Sequence, residues 1–161
     1  MPEEEEKGSK SKPLIGTDEA TIDDKGRVLV SKKKRDRLGD GFAMCLGDNG
    51  CIYAYPGWRW QKICEDIESH DITNQGTVEY TRMVMGTAED DLEFDGQGRV
   101  VIPRKLRELA NLKDKVLIVG CLIRLEIWAD EEFRLYELNR EDYGKERRER
   151  IKENYREMKA S

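Results

Sequence analysis

The segment Asp23-Asp24-Lys25-Gly26-Arg27-Val28-Leu29-Val30 recurs 72 positions later as Asp95-Gly96-Gln97-Gly98-Arg99-Val100-Val101-Ile102. Extended to 16 ungapped positions, 23–38 against 95–110, the two copies share six identities: Asp, Gly, Arg, Val, Lys and Arg. Four more pairs are conservative: Leu29/Val101, Val30/Ile102, Lys32/Arg104 and Asp36/Glu108. A repeat of this kind restricts the fold to one supersecondary unit used twice. Each copy reads as strand, tight turn, strand and short helix. A short Gly-containing loop between two β-runs is a hairpin signal. Gly26 and Gly98 supply the positive φ of such loops, and Asp23 and Asp95 accept backbone N–H bonds at the loop entry. Arg27 and Arg99 stand where the chain leaves the turn. A single Asp-x-x-x-Arg is as readily a surface ion pair bracing a turn as a binding element. Two in matching positions, each followed by a basic helix, favour a binding surface.

Charge is distributed unevenly. The chain carries a net charge of −5, with 39% charged and 37% hydrophobic residues. Residues 25–37 nevertheless hold seven basic side chains and one acid, Asp36, and residues 97–107 hold four basic side chains and no acid. Acids gather at residues 3–6 and 89–95. The repeats are basic islands on an acidic chain, and such distribution matters more for partners than the sum. Arg pairs bidentately with guanine in the major groove, whereas Lys mainly neutralises phosphate. Arg27 and Arg99 are therefore the candidates for base or near-base contacts with double-stranded DNA. Lys25, Lys32, Lys33, Arg35, Arg104, Lys105 and Arg107 are candidates for phosphate or positioning contacts. For the Lys32–Arg37 run the plain alternative is a solvated helix face.

Other chemistries find little support. There is no Gly-x-Gly-x-x-Gly and no P-loop, and His70 ends a polar helix without an evident partner, so no enzyme, cofactor or small-molecule substrate is expected. The four cysteines, Cys45, Cys51, Cys64 and Cys121, lack Cys-x-x-Cys spacing and read as reduced thiols of a cytosolic protein rather than as metal ligands. No apolar run reaches the ~20 residues of a membrane span, and the acidic N-terminus does not resemble a signal peptide.

Along the chain, residues 1–12 read as a disordered charged leader. Ser31 is placed to cap a helix over Lys32–Leu38, stopped by Gly39. Strands are expected over 42–46 and 51–55 around Gly47-Asp48-Asn49-Gly50. Trp60, Ile63, Cys64 and Ile67 make a helical stripe expected to be core, and a further helix over 75–86 directs Val78 and Met85 inward. Pro103 suits the first position of a second short helix, with Leu106 and Leu109 inward. Strands follow over 116–119 and 123–128, then a helix from Asp130 carrying Phe133 and Tyr136. From Arg140 the chain is a charged tail in which Ile151, Tyr155 and Met158 keep a helical stripe. The expected class is mainly β with short helices (α+β), divided as leader 1–12, unit 14–57, helical connector 58–88, unit 89–131, and C-terminal helix with charged tail 132–161.

These residues resemble the MraZ family of bacterial transcription regulators over about residues 14–138. Gly16 lies seven residues before Asp23, as in the family, and Asp23-x-x-x-Arg27 with Asp95-x-x-x-Arg99 matches its paired motif. Ile52–Pro56 is similar to its "LYLYP" stretch, Asn74 sits in its linker, and Leu125-Glu126-Ile127-Trp128 matches its "IEIW". The resemblance implies two AbrB-like swapped-hairpin units interlocked as one pseudo-two-fold β-barrel within the chain. It implies homo-oligomeric rings that bind short direct repeats in the promoter of the cell-division and cell-wall gene cluster, usually repressing it, in the cytoplasm on the nucleoid. AbrB-like folds also serve as antitoxins, so a protein-interaction module is the alternative. Three departures stand out: Ser31 where the family and Pro103 have proline, Lys34 where Leu106 represents the usual apolar residue, and the leader. The first half is expected to be the more electropositive.

Overall fold

The computed structural model describes residues 12–138 and 143–161; the greater part of the expected leader and the start of the tail lie outside them. The fold is mixed α+β with a mainly antiparallel sheet, and the chain divides into two compact units at Ala129/Asp130. The first unit holds β1 (Thr17–Thr21), β2 (Arg27–Leu29), α1 (Lys32–Leu38), β3 (Phe42–Leu46) and β4 (Ile52–Tyr55). Two helices, α2 (Gly57–Glu68) and α3 (Gln75–Met83), and a 3₁₀ turn (Met85–Thr87) follow. The second copy then gives β5 (Glu89–Leu92), β6 (Arg99–Val101), α4 (Arg104–Leu109), β7 (Lys115–Gly120) and β8 (Leu125–Ala129).

Strand pairing departs from a simple hairpin reading of each repeat. β1 and β2 are joined by the expected turn but do not pair with each other. Six strands form one sheet in the order β1-β7-β8-β4-β3-β5, and β2 pairs with β6 in a separate two-stranded ribbon. The first strand of each copy thus lies against the third strand of the other, with Thr17 opposite Val119 and Phe42 opposite Leu92. The order reads the same from either end once equivalent strands are exchanged. A repeat whose own strand edges are unpaired satisfies its backbone by trading strands with its duplicate.

The inner face follows the period-two rule. Phe42, Met44, Ile52, Ala54, Val116, Ile118, Leu125 and Ile127 alternate inward and join Val28, Val100, Leu38 and Leu106 in one core built from both copies. The stripe on α2 has the expected phase, but Trp60, Ile63, Cys64 and Ile67 are only half-buried, as are Val78 and Met85. Trp60 stacks on Tyr55 of the outer sheet face at 6.2 Å between ring centroids. Leu106 is core as expected, whereas Leu109 is exposed. Strand β8 begins at Leu125 rather than at 123, because Leu122 takes φ 67° and exchanges backbone hydrogen bonds with Leu14.

The two copies differ at one core position. Lys34 occupies the place that Leu106 fills in α4, and it is buried. Its Nζ donates to Asp18 Oδ2 at 2.6 Å. Asp18 lies on the inward-alternating side of β1 with Ala20, and that bond holds its carboxyl below the ordinary range. Ser31 sits at the helix entry as expected, but its hydroxyl makes no cap bond. In the second copy, where Leu106 offers no cation, the equivalent Asp90 is exposed and β5 is irregular there, with Asp91 at φ 53°.

The second unit holds a four-residue α-turn, α5 (Asp130–Phe133), a π-turn (Arg134–Leu138) and α6 (Tyr143–Ala160). The helix expected from Asp130 therefore changes its winding after one turn. Ile151, Tyr155 and Met158 are all exposed on α6.

Removing one member of the Lys34–Asp18 pair strands a buried ammonium, whereas restoring the apolar residue of the other copy does not. Asp18→Ala is expected to cost about 1–3 kcal/mol in urea unfolding, less than a fully buried pair would lose because the Asp18 side chain is 43% exposed. Lys34→Leu is expected to change stability by less than about 1 kcal/mol. Equal losses in the two variants would contradict this assignment.

Candidate nucleic-acid interface

The two Asp-x-x-x-Arg turns have the same geometry. Asp23 N–H donates to Arg27 O at 2.9 Å and Gly26 N–H to Asp23 O at 3.0 Å. Asp95 N–H donates to Arg99 O at 2.8 Å and Gly98 N–H to Asp95 O at 3.0 Å. Asp23 Oδ1 accepts from the backbone N–H of Lys25 and of Arg27 at 3.0 and 2.9 Å. Asp95 Oδ1 accepts from Gln97 and Arg99, both at 2.9 Å. The second carboxylate oxygen takes the Arg side chain through Nε, at 2.7 Å for Arg27 and 3.0 Å for Arg99. The backbone N–H of the Arg is the leading cause that holds each carboxyl below its ordinary range.

The Arg side chains are oriented by these carboxylates on a rigid ribbon. In the β2–β6 register Arg27 faces Val101, Val28 faces Val100 and Leu29 faces Arg99. Val28 and Val100 point inward and are buried. The outward face therefore has four corners, with the two Arg on one diagonal and Leu29 and Val101 on the other. Each Asp–Arg bond uses Nε. The two Nη groups, which form the fork that grips guanine O6 and N7, lie outside it.

Two of the expected phosphate contacts take a different place. The Arg107 side chain passes under the turn of the first copy: a Cβ on Gly26 would stand 2.7 Å from Arg107 Cζ. Arg35 passes in the same way under Gly98 of the second copy. Arg35 donates through Nη1 to Val30 O, and Arg107 through Nε to Ile102 O at 3.0 Å. Both are half-buried. Each helix thus clamps the opposite turn, a relation between residues of different copies that no linear spacing reveals. Gly26 and Gly98, at φ 79° and 82°, satisfy two demands at once, left-handed backbone and room for a guanidinium.

The remaining candidates are exposed. Lys25 sits at the turn tip; Lys32 and Lys33 lie on α1, and Arg104 and Lys105 on α4. Each helix begins within three residues of its ribbon strand. Arg104 Nε donates to Glu108 Oε1 at 3.1 Å, an open pair with 84% of the Arg side chain accessible. The sequence treats Leu29 and Val101 simply as strand residues, although their two-residue spacing from Arg27 and Arg99 places them on the same face.

Other chemistry-bearing residues lie apart from this surface. Burial pushes the thiols of Cys45 and Cys51 up to about 12 and that of Cys121 to about 11, which keeps them protonated. His70 does have a partner, Ser69 Oγ at 3.2 Å from Nδ1. It lines a cleft of about 470 Å³ between α2 and α3 with Ile63, Ile67 and Tyr80. Among the described residues no group of three or more His, Cys, Asp and Glu is placed to hold a metal ion, and no helix is long and apolar enough to cross a membrane.

The repeats also define what the chain is similar to. Residues 14–82 and 83–154 each match the profile of one family, described as MraZ protein, antitoxin-like. A transcriptional regulator MraZ of Caldanaerobacter subterraneus subsp. tengcongensis is 36% identical over 123 residues, spanning 76% of this chain and 85% of the relative. One from Clostridium beijerinckii is 33% identical over 130 residues, covering 81% and 91%. One from Salinispora arenicola is 34% identical over 115 residues, covering 71% and 80%.

The clamp and the carboxylate braces each carry an expected outcome. Gly98→Ala meets both the φ penalty and the Arg35 guanidinium, and is expected to lower stability by about 2 kcal/mol or more. Gly96→Ala, with open space at its Cβ position, should cost well under half of that loss in the same denaturant titration. For acid the sign is fixed by the lowered carboxyls: their contribution is complete above ~pH 4 and is lost as pH falls through the lower native value. The thermal midpoint of an Asp23→Asn, Asp95→Asn double variant should therefore fall less steeply than wild type between about pH 4 and pH 2. Parallel curves would show that these carboxylates do not brace the turns.

Proposed function

The chain belongs to the MraZ family, and from that premise we propose that it is a sequence-specific DNA-binding regulator of transcription. The observation that carries this is the outward face of the β2–β6 ribbon, with two Asp-oriented Arg side chains on a two-fold diagonal. A major groove about 12 Å wide admits a two-stranded ribbon. Arg27 and Arg99 contact guanine edges in it, while Lys25, Lys32, Lys33, Arg104 and Lys105 meet the flanking phosphates. Arg35 and Arg107 are positioning residues that hold the two turns. The exchange of β1 and β5 between copies supports the swapped-hairpin arrangement, closed as a pseudo-two-fold barrel.

The finer reading follows the resemblance. The chain acts in the cytoplasm on the nucleoid as a homo-oligomeric ring, engaging short repeats in the promoter of the cell-division and cell-wall gene cluster and repressing it. Linked weak modules gain affinity through effective concentration, which suits repeated short sites. A protein-binding, antitoxin-type role is the second reading, favoured by the exposed Ile151, Tyr155 and Met158 on α6 and by the family's description.

Fluorescence anisotropy on the DNA upstream of the chain's own gene, against shuffled duplex over a salt series, tests the proposal. Arg27→Ala and Arg99→Ala should each lose about 10- to 100-fold on the preferred sequence and little on shuffled DNA. The loss at Arg27 should be at least as large, since Lys25, Lys32 and Lys33 flank it. Lys33→Ala should weaken both duplexes alike and reduce the log-log salt slope by about one. No preference for any duplex at low salt, together with one stoichiometric protein partner in a pull-down, would move the function to the second reading.

A further inference from the structure

Leu29 and Val101 are exposed aliphatic side chains at the two ribbon corners not taken by Arg, with 56% and 51% of their surface accessible. Single exposed aliphatics are ordinary on protein surfaces. These two are related by the repeat, lie on the same short ribbon, and each stands directly across from an oriented Arg of the other strand. Exposed Lys25, Lys32, Lys33 and Lys105 flank them in sequence, so the surroundings match an anionic partner rather than an apolar one. The residues between them, Val28 and Val100, already fill the core contact beneath the ribbon. Leu29 and Val101 are therefore not needed to seal that side.

We infer that Leu29 and Val101 determine sequence specificity by packing on thymine C5-methyl groups in the major groove, beside the guanines gripped by Arg27 and Arg99. This inference rests on the DNA-binding reading above. The thymine methyl is the apolar group of the four base-pair edges in that groove, and aliphatic contact is how a protein selects it. Distances within the ribbon agree. Cα atoms two residues apart on a strand stand about 6.7 Å apart, close to two base steps of about 3.4 Å. Facing residues of paired strands stand about 5 Å apart. An Arg on a guanine thus sets one aliphatic side chain about one base step away across the ribbon and the other about two steps away along its own strand. The selected half-sites should carry a thymine within about two base pairs of each Arg-read guanine, on either strand.

The test begins with full-length protein and a random duplex pool, from which bound sequences are enriched. Each thymine of the enriched duplex is then replaced singly by deoxyuridine, which removes the methyl and keeps the hydrogen-bonding edge. Binding is read by fluorescence anisotropy. Wild type is expected to lose about fourfold at one or more thymines near each contacted guanine, the worth of one buried methyl-sized group. Leu29→Ala should abolish the uracil penalty at one subset of positions and Val101→Ala at the other, while both variants keep their discrimination for guanine. Uracil equal to thymine at every position, or penalties unchanged in both variants, would overturn the inference; guanine discrimination in those titrations would leave the DNA-binding reading standing. Failure to enrich any sequence at low salt would remove both. Because both side chains project outward from a buried Val28–Val100 pair, the two alanine variants are expected to unfold at the wild-type temperature.

Discussion

Among the backbone hydrogen bonds that cross between the copies, two close the turns: Ile102 N–H donates to Gly26 O at 2.9 Å, and Val30 N–H to Gly98 O at 3.2 Å. They tie the residue after each ribbon strand to the turn of the other copy. The ribbon register, the clamp of Arg107 under Gly26 and that of Arg35 under Gly98 all depend on this mutual closure. Neither turn is held by its own repeat alone. The carboxylates of Asp23 and Asp95 shape each loop locally, but its position is fixed by a guanidinium from the other copy. Strand exchange in the six-stranded sheet follows the same logic at larger scale.

Duplication makes the two-fold surface, and later divergence tunes it. The Lys34–Asp18 pair replaces the apolar contact that Leu106 makes in the second copy. A buried ammonium is tolerable because its stem packs like an aliphatic residue and its head meets a carboxylate that remains partly in water. At the corresponding place in the second copy, Asp90 is exposed and the strand is irregular. Both edge strands of the sheet carry acids, Asp18 and Glu19 on β1 and Glu89 to Asp91 on β5, a charge pattern that discourages edge-to-edge association. Acid thus lies at the sheet edges and base on and beside the ribbon, within a chain that is acidic overall.

The proposed interface is economical because its parts are already fixed before a partner arrives. Arg27 and Arg99 have their direction set by a carboxylate bond, so less side-chain entropy is lost on contact than for a free Arg. Their neighbours at the ribbon corners differ in kind: Arg offers donors, Leu29 and Val101 offer shape. In the proposed complex a two-stranded surface that presents both would discriminate among base-pair edges, and the lysines around it would supply affinity that falls with salt.

By itself, the sequence determined the local chemistry. The Asp-x-x-x-Arg turns, their glycines, the helix from Lys32 to Leu38 and the central hairpin strands follow from neighbours a few residues apart, and the structure places them accordingly. What only the tertiary structure decided is which strand meets which. A turn between two β-runs has the same local signature whether its strands pair with each other or with a duplicate, since the bonds that differ connect distant positions. For the same reason Arg35 and Arg107, basic residues on the two short helices, read from the sequence as phosphate or positioning contacts, and only the tertiary structure brings the opposite glycine turn above each guanidinium. Lys34 gave no local sign of Asp18 either; the pleat of β1 and the turn of α1 bring them together, and desolvation then requires that they pair.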